Sequence, residues 1–281
     1  MDIKFHCGIE RNFHYKWQQV RAFLYSDYSI EPHTHDFYEM NIVVSGKGKH
    51  QIENACFDVK TGDVFIIPPM TVHAYFDTNA LDVYHILLRK NFILDNQKES
   101  ASIPGFLQLV EIEPFLRQHF SGEVFLHLSQ NQLMQLKNEL SFIEEHNAFD
   151  TEEMAPLKNH ITWKILYWFS YLLFKQVHKE DKKSLNKYDI EIIKILEYIH
   201  KNYMDKITID LLCKNSFLSR STFLRSFRNV CECTPMEYVN RYRCKKALEM
   251  MDNSNLSKTE IAHSCGFYDL SHMERTMKQL L

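Results

Sequence analysis

Glycine and proline are both scarce in this chain, 7 of each in 281 residues, which excludes collagen-like and low-complexity architectures. A membrane span needs about 20 consecutive apolar residues, and no such run occurs. The most apolar stretch, Ile161–Phe174, is interrupted by Lys164 and reads as a buried or interface helix. The opening MDIKFHCGIERNF carries scattered charges and no apolar centre, unlike a secretory signal. The 7 cysteines are odd in number and form no C-x2-C pair; Cys231 and Cys233 are the nearest neighbours. They read as reduced thiols of a cytoplasmic protein. Charge of one sign does not dominate, with 33 Lys and Arg against 36 Asp and Glu. Its distribution is uneven: from Leu185 onward there are 15 basic and 12 acidic residues, and before it 18 and 24. A mildly basic C-terminal third beside an acidic body is compatible with DNA binding.

Three textures follow one another along the chain. From about residue 20 to 95, short apolar runs alternate with turn signals such as Ser45-Gly46-Lys47-Gly48 and Pro68-Pro69. That pattern predicts a small β-sandwich or barrel. From about 106 to 178 the period becomes helical, with Leu133, Leu136, Leu140 and Ile143 on one face and Ile161, Ile165, Trp168 and Leu172 on another. The polar stretch 176–187 reads as a linker, and everything after it as short helices. The expected fold class is α+β, with a barrel over 1–100, a helical segment over 101–180 and an all-α domain over 186–281. Trp163, Tyr167, Trp168 and Tyr171 either pack on the barrel or form a dimer interface.

The all-α part contains an internal repeat at about 50 residues. The first copy runs from Ile209 through Phe217 and Ser219 to Arg228; the second runs from Lys258 through Gly266 and Asp269 to Lys278. Each reads as a helix, a tight turn, an N-cap and a second helix, the grammar of a helix-turn-helix. The second helix of such a unit enters the major groove, where an arginine fork pairs with guanine. Arg225 and Arg275 occupy equivalent positions. Pro235 begins a long intervening helix that could set both recognition helices at a fixed separation, on one face of the DNA.

Residues from about 190 to 278 resemble the DNA-binding domain of the AraC/XylS family of regulators. The resemblance rests on Ile195–Tyr203, Pro235–Leu248 and above all Glu260-Ile-Ala-His-Ser-Cys-Gly-Phe267. It implies an activator that recruits RNA polymerase, with an N-terminal domain that senses a small molecule or mediates homodimerisation. It also implies DNA contacts from Arg220, Ser221, Thr222, Arg225 and Arg228 in the first unit, and from Ser271, His272, Arg275 and Lys278 in the second. Cys213 stands where the family has a small alanine, and Phe217 where it has a turn glycine. The first turn is therefore expected to be strained or differently packed. The family continues beyond the second recognition helix with a further short helix. Its absence predicts looser packing of Met273, Met277 and Leu280 than of Phe223 and Phe227, and a second unit that contributes less to DNA affinity.

His33, His35 and Glu39 followed by Gly46 match the first cupin motif. The stretch from Gly62 through Pro68 to His73 resembles the second, with Met70 at its usual glycine. On one strand His33, His35, Phe37 and Glu39 would share a face, and His73 could join them from another. Three imidazoles and a carboxylate suit a divalent transition metal, or they line a pocket for an organic effector. In regulators of this family the resemblance implies the second, often with a carbohydrate and no obligatory cofactor. Two alternatives stand beside a DNA-binding regulator that is not an enzyme. One is a metal-dependent cupin enzyme with a helical appendage; the other is a truncated regulator with impaired DNA binding.

Overall fold

A computed structural model describes residues 2–117, 126–147, 151–178 and 187–280. The chain divides into two compact units, Met1–Asp181 and Lys182–Leu281.

The first unit opens with β1 (Phe5–Cys7), α1 (Ile9–Asn12), β2 (Val20–Tyr25), β3 (Ile30–His35), β4 (Tyr38–Ile52), β5 (Ala55–Lys60), β6 (Asp63–Ile67) and β7 (His73–Leu88). After these come α2 (Lys90–Leu94), α3 (Gln97–Ser100), a π-helical turn at Gln108–Ile112 that continues as α4 (Glu113–Arg117), and the short β8 (Leu126–His127). The unit closes with α5 (Gln130–Asn147) and α6 (Ala155–His178). β4 and β7 are long, pair antiparallel along their length, and change outer partners midway. The first half of β7 and the second half of β4 form a leaf with β1, β3 and β5. The other halves form a second leaf with β2, β6 and β8. β1 pairs parallel with β3, so the eight-stranded sheet is mixed. The strands bend through register shifts between Val43 and Lys49. Gly46 sits in that bend at φ +75°, where a Cβ would collide with the Ala80 carbonyl.

One face of β4 carries Glu39, Asn41 and Val43. In register with them are Val83 and His85 on β7 and Phe65 and Ile67 on β6. The inner face is therefore apolar at one end, where Val43, Phe57, Val59, Phe65, Ile67 and Val83 cluster, and rich in histidine at the other. Met40 and Ile42 of the opposite face are equally buried. α5 and α6 pack against β2, and the Tyr84 hydroxyl donates to the Leu140 carbonyl of α5. With both faces covered, the first six residues of β4 are buried without a break, Glu39 and Asn41 included.

Leu133, Leu136, Leu140 and Ile143 are buried as the period predicts. The face expected for α6 is rotated. Its buried side is Thr162, Ile165, Leu166, Phe169, Ser170, Leu173 and Val177, while Ile161, Trp168 and Leu172 are only half-buried. The shift arises because Trp163 is drawn onto Phe92, with ring centroids 4.8 Å apart, and the Tyr167 hydroxyl meets Ser100 Oγ at 3.0 Å. Tyr171 remains exposed. The polar stretch read as a linker begins inside α6, since Gln176, Val177 and His178 are helical. Residues 179–186 of it lie outside the described residues.

The second unit is all helix: α7 (Lys187–Asn202), α8 (Ile209–Ser216), α9 (Arg220–Cys231), α10 (Pro235–Asn253), α11 (Lys258–Ser264) and α12 (Leu270–Leu280). The starts of α8 to α12 each have a named cause. Thr208 caps α8, Ser219 caps α9, and Thr234 and Ser257 form capping boxes with Glu237 and Glu260. Pro235 supplies the first position of α10. Asp269 Oδ1 accepts the His272 amide at 2.7 Å at the start of α12.

Candidate functional site

Both repeat copies are helix-turn-helix units. Phe223 and Phe227 of α9 are fully buried, and so is Met273 of α12, while Met277 and Leu280 are half-buried. Looser packing of the second unit is thus confined to its last turn. With these faces turned inward, Ser221, Arg225 and Arg228 are exposed on α9, and their equivalents Ser271, Arg275 and Lys278 are exposed on α12. The spacing of these three positions places them on one side of each helix, opposite the core.

The other expected contact residues are engaged locally. Arg220 forms an ion pair with Asp210 of α8. Thr222 is half-buried and its Oγ1 meets Ser219 Oγ at 2.9 Å, within the cap. His272 is also half-buried, and its Nδ1 accepts the Tyr268 amide at 3.4 Å. The repeat also hides an asymmetry: Leu224 of α9 is matched by the exposed Glu274 of α12. α10 packs against α9, α11 and α12, so one element braces both units. Arg243 of α10 donates from Nε to the Tyr203 carbonyl at 2.8 Å and from Nη2 to that of Asp205 at 2.7 Å. The turn of the second unit nests in the same place. At Gly266, φ +77°, a Cβ would lie 2.6 Å from the Tyr203 oxygen.

In the β-domain, His33, His35, Glu39 and His73 come together. The route differs from the one the sequence suggests: β3 ends at His35, the chain bends at Asp36 and Phe37, and Glu39 lies on β4. One continuous strand would have kept Glu39 on the edge beside β1. The bend instead carries it to the centre of the sheet, between β6 and β7. His33 pairs with His73 across β3 and β7, their ring centroids 4.2 Å apart.

Two further histidines, absent from the motif, complete the cluster. His85 Nδ1 donates to Glu39 Oε1 at 2.7 Å, and His50 Nε2 stands 3.4 Å from His73 Nδ1. Strand alternation carries the signal for both, since His85 lies two residues from Val83 and His50 two from Ile52, both interior positions. None of the six residues is more than 5% exposed.

Burial dominates the electrostatics. It holds His73 well below the usual imidazole pKa against the attraction of Glu39. It lowers His50 in the same way, with the charges of His73 and Arg117 adding to the effect. His33 is lowered too, again by burial first. Burial alone would raise Glu39, but the contacts from His35 and His85 and the charges of His85 and His73 outweigh it, and its carboxyl stays well below the carboxylate range. At neutral pH His33, His50 and His73 are thus neutral imidazoles beside an ionised Glu39, the protonation states a metal ion requires. His33, Glu39 and His73 offer donor atoms within 4.8 Å of one another. Among the described residues no helix is long and apolar enough to cross a membrane.

Residues 20–157 match the AraC-like ligand binding domain family and residues 212–281 a helix-turn-helix domain family. The chain is 24% identical over 255 residues to the uncharacterized HTH-type transcriptional regulator YdeC of Bacillus subtilis, covering 90% of this chain and 83% of that protein. It is 25% identical over 249 residues to the HTH-type transcriptional activator RhaS of Escherichia coli, covering 88% and 83%. Among solved structures it is similar to ToxT from Vibrio cholerae, at 14% identity and a TM-score of 0.35 over 94% of this chain and 95% of that one.

Proposed function

From the premise that this chain belongs to the AraC family of transcriptional regulators, we propose that it is a cytoplasmic activator, without enzymatic activity, that binds promoter DNA through α9 and α12. The β-domain reports a small-molecule effector to the helical unit. The observation that carries this reading is the matched pair of exposed faces, Ser221–Arg225–Arg228 and Ser271–Arg275–Lys278, braced by one helix. Two arginines at equivalent points of paired recognition helices suit bidentate readout of guanine in successive major-groove segments. The flanking cations suit phosphate, whose neutralisation makes affinity fall with salt. A homodimer, joined through the outward side of α6 around Tyr171, and recruitment of RNA polymerase complete the reading. The histidine end of the β-domain is the effector site, with His33, His35, Glu39 and His73 at its centre.

The reading is tested by mobility shift of the full chain on the intergenic DNA upstream of its own gene. The expected result is a salt-dependent complex that survives an excess of unrelated DNA. Equal affinity for unrelated DNA of the same length would overturn it.

A further inference from the structure

The atoms at the centre of the histidine cluster are arranged as though something positive belonged between them. His33 Nδ1 meets the Glu31 carbonyl at 3.0 Å and His35 Nδ1 meets that of Phe37 at 2.7 Å. A carbonyl can only accept, so both Nδ1 atoms carry a proton, and in the neutral ring each Nε2 presents a lone pair. The bond from His85 to Glu39 Oε1 leaves Oε2 as the free oxygen of the carboxylate. Oε2 then faces His35 Nε2 and His73 Nε2, each at 3.3 Å, and all three atoms are buried without a hydrogen-bond partner. Lone pairs converging at that distance in a site closed to water repel one another, and buried polar atoms left unsatisfied are costly.

Size decides what relieves this. Ligand atoms about 2.1 Å from a tetrahedral ion stand about 3.4 Å apart, close to the 3.3 Å found here. His33, Glu39 and His73 hold their donor atoms within 4.8 Å of one another, a spacing that suits a single ion. The donors are nitrogen and carboxylate oxygen with no thiolate among them, a set that suits a borderline divalent ion. The outer contacts are those that fix ligating imidazoles: backbone carbonyls on His33 and His35, and His50 on the far nitrogen of His73.

We propose that His33, His73 and Glu39, with His35, bind one divalent transition-metal ion, and that this ion is the signal the β-domain reports. The inference rests on the regulator reading above and names the effector's class. His85 and His50 are positioning residues: His85 holds Glu39 so that Oε2 faces the imidazoles, and His50 orients His73.

The test uses full-length protein, freed of any affinity tag and stripped with a chelator, titrated with cobalt(II) and zinc(II) salts. The expected result is one cobalt per chain, with visible d–d absorption in the range of nitrogen and oxygen ligation, and a higher Tm on loading. His73→Gln and Glu39→Gln should weaken cobalt binding at least tenfold, while His127→Ala, outside the cluster, should leave it unchanged. Circular dichroism of each variant separates lost ligation from lost folding, and His35→Gln provides a second ligand variant should either fail to fold. His85→Phe should shift the absorption band and weaken binding less than Glu39→Gln does. On the upstream DNA, loaded and stripped wild-type protein should differ in affinity at least fivefold, and His73→Gln should not respond.

Wild-type protein that binds neither ion, or folded ligand variants that bind both as wild type does, would overturn the site. Stoichiometric binding with unchanged DNA affinity would overturn the ion as signal. Failure to select the upstream DNA in either state would instead overturn the regulator reading, while the cobalt titration still decides the site.

Discussion

Seven described residues other than glycine hold a positive φ, and two of them stand where the sequence patterns have glycine. Phe217 ends α8 at φ 53° and Met70 turns between β6 and β7 at φ 65°. Both project into solvent, Phe217 at 91% exposure and Met70 at 58%. The left-handed region costs a side-chain-bearing residue about 1–2 kcal/mol, and neither recovers much by packing. Glycine at either position relieves that strain but loosens the unfolded chain, so the net gain expected for Phe217→Gly is about 0.5–1 kcal/mol. Urea denaturation of the variant checks this; an unchanged or lower midpoint would mean that the exposed ring is held by something the turn geometry does not reveal. At both positions the departure from the family pattern is visible in the sequence as a missing glycine. That the backbone keeps the glycine conformation regardless is not. The Met70 amide donates to the His35 carbonyl at 2.8 Å, so the turn is fixed by the histidine cluster it borders.

At the scale of elements, the recognition helices invite paired substitutions. Arg225→Ala and Arg275→Ala are each expected to cost about 1–3 kcal/mol of specific DNA binding if each fork grips a base. Footprints should lose protection at different positions for the two variants, and identical wild-type footprints would remove both residues from base readout. The capping box of α11 gives a second handle. Glu260 accepts from the Ser257 amide at 2.8 Å and from its hydroxyl at 2.7 Å, and these bonds lower the carboxyl below its ordinary 4.5. A lowered carboxylate stabilises the fold above its unfolded pKa, and that contribution is lost as pH falls through the folded one. Amide protection factors in α11 should therefore fall as pH drops below about 4.5, and Glu260→Gln should flatten the dependence.

These elements were well marked in the sequence because caps and periods are local signals: Ser219, Asp269 and Pro235 announce their helices. The β-domain was less legible. His33, His35 and Glu39 read as one strand because alternation cannot register a bend at Asp36 and Phe37. Alternation marks His50 and His85 as inward-facing, but that they meet this cluster follows from the pairing of β4 with β7, which is not local. The face of α6 was misplaced for a similar reason, since Phe92 and Ser100 draw Trp163 and Tyr167 inward from distant parts of the chain.

For the whole molecule, the division into Met1–Asp181 and Lys182–Leu281 has a practical consequence. The helical unit has its own buried centres, one around Phe223 and Phe227 and one joining Cys244, Ala247, Ile261, Cys265, Phe267 and Met273. A fragment spanning 182–281 is therefore expected to fold alone and to bind the upstream DNA without any response to effector. A fragment lacking helical circular dichroism would show that the unit depends on the rest of the chain.

α10 also constrains how the target site can evolve. Its 19 residues make a rod about 28 Å long, with Tyr238 near its start against Phe227 of α9 and Cys244 and Ala247 further on against α11 and α12. A tether of this kind cannot stretch, while each base pair added between two half-sites turns the far one by about 35° around the duplex. Single-base substitutions in an operator would thus be tolerated in degrees, whereas an insertion or deletion of one base pair between its halves would abolish simultaneous contact. A full helical turn would not restore it, because the second helix could no longer reach. Promoters under this regulator should drift in letters and hold their spacing, and affinity measured across a ladder of spacer lengths should show one sharp maximum.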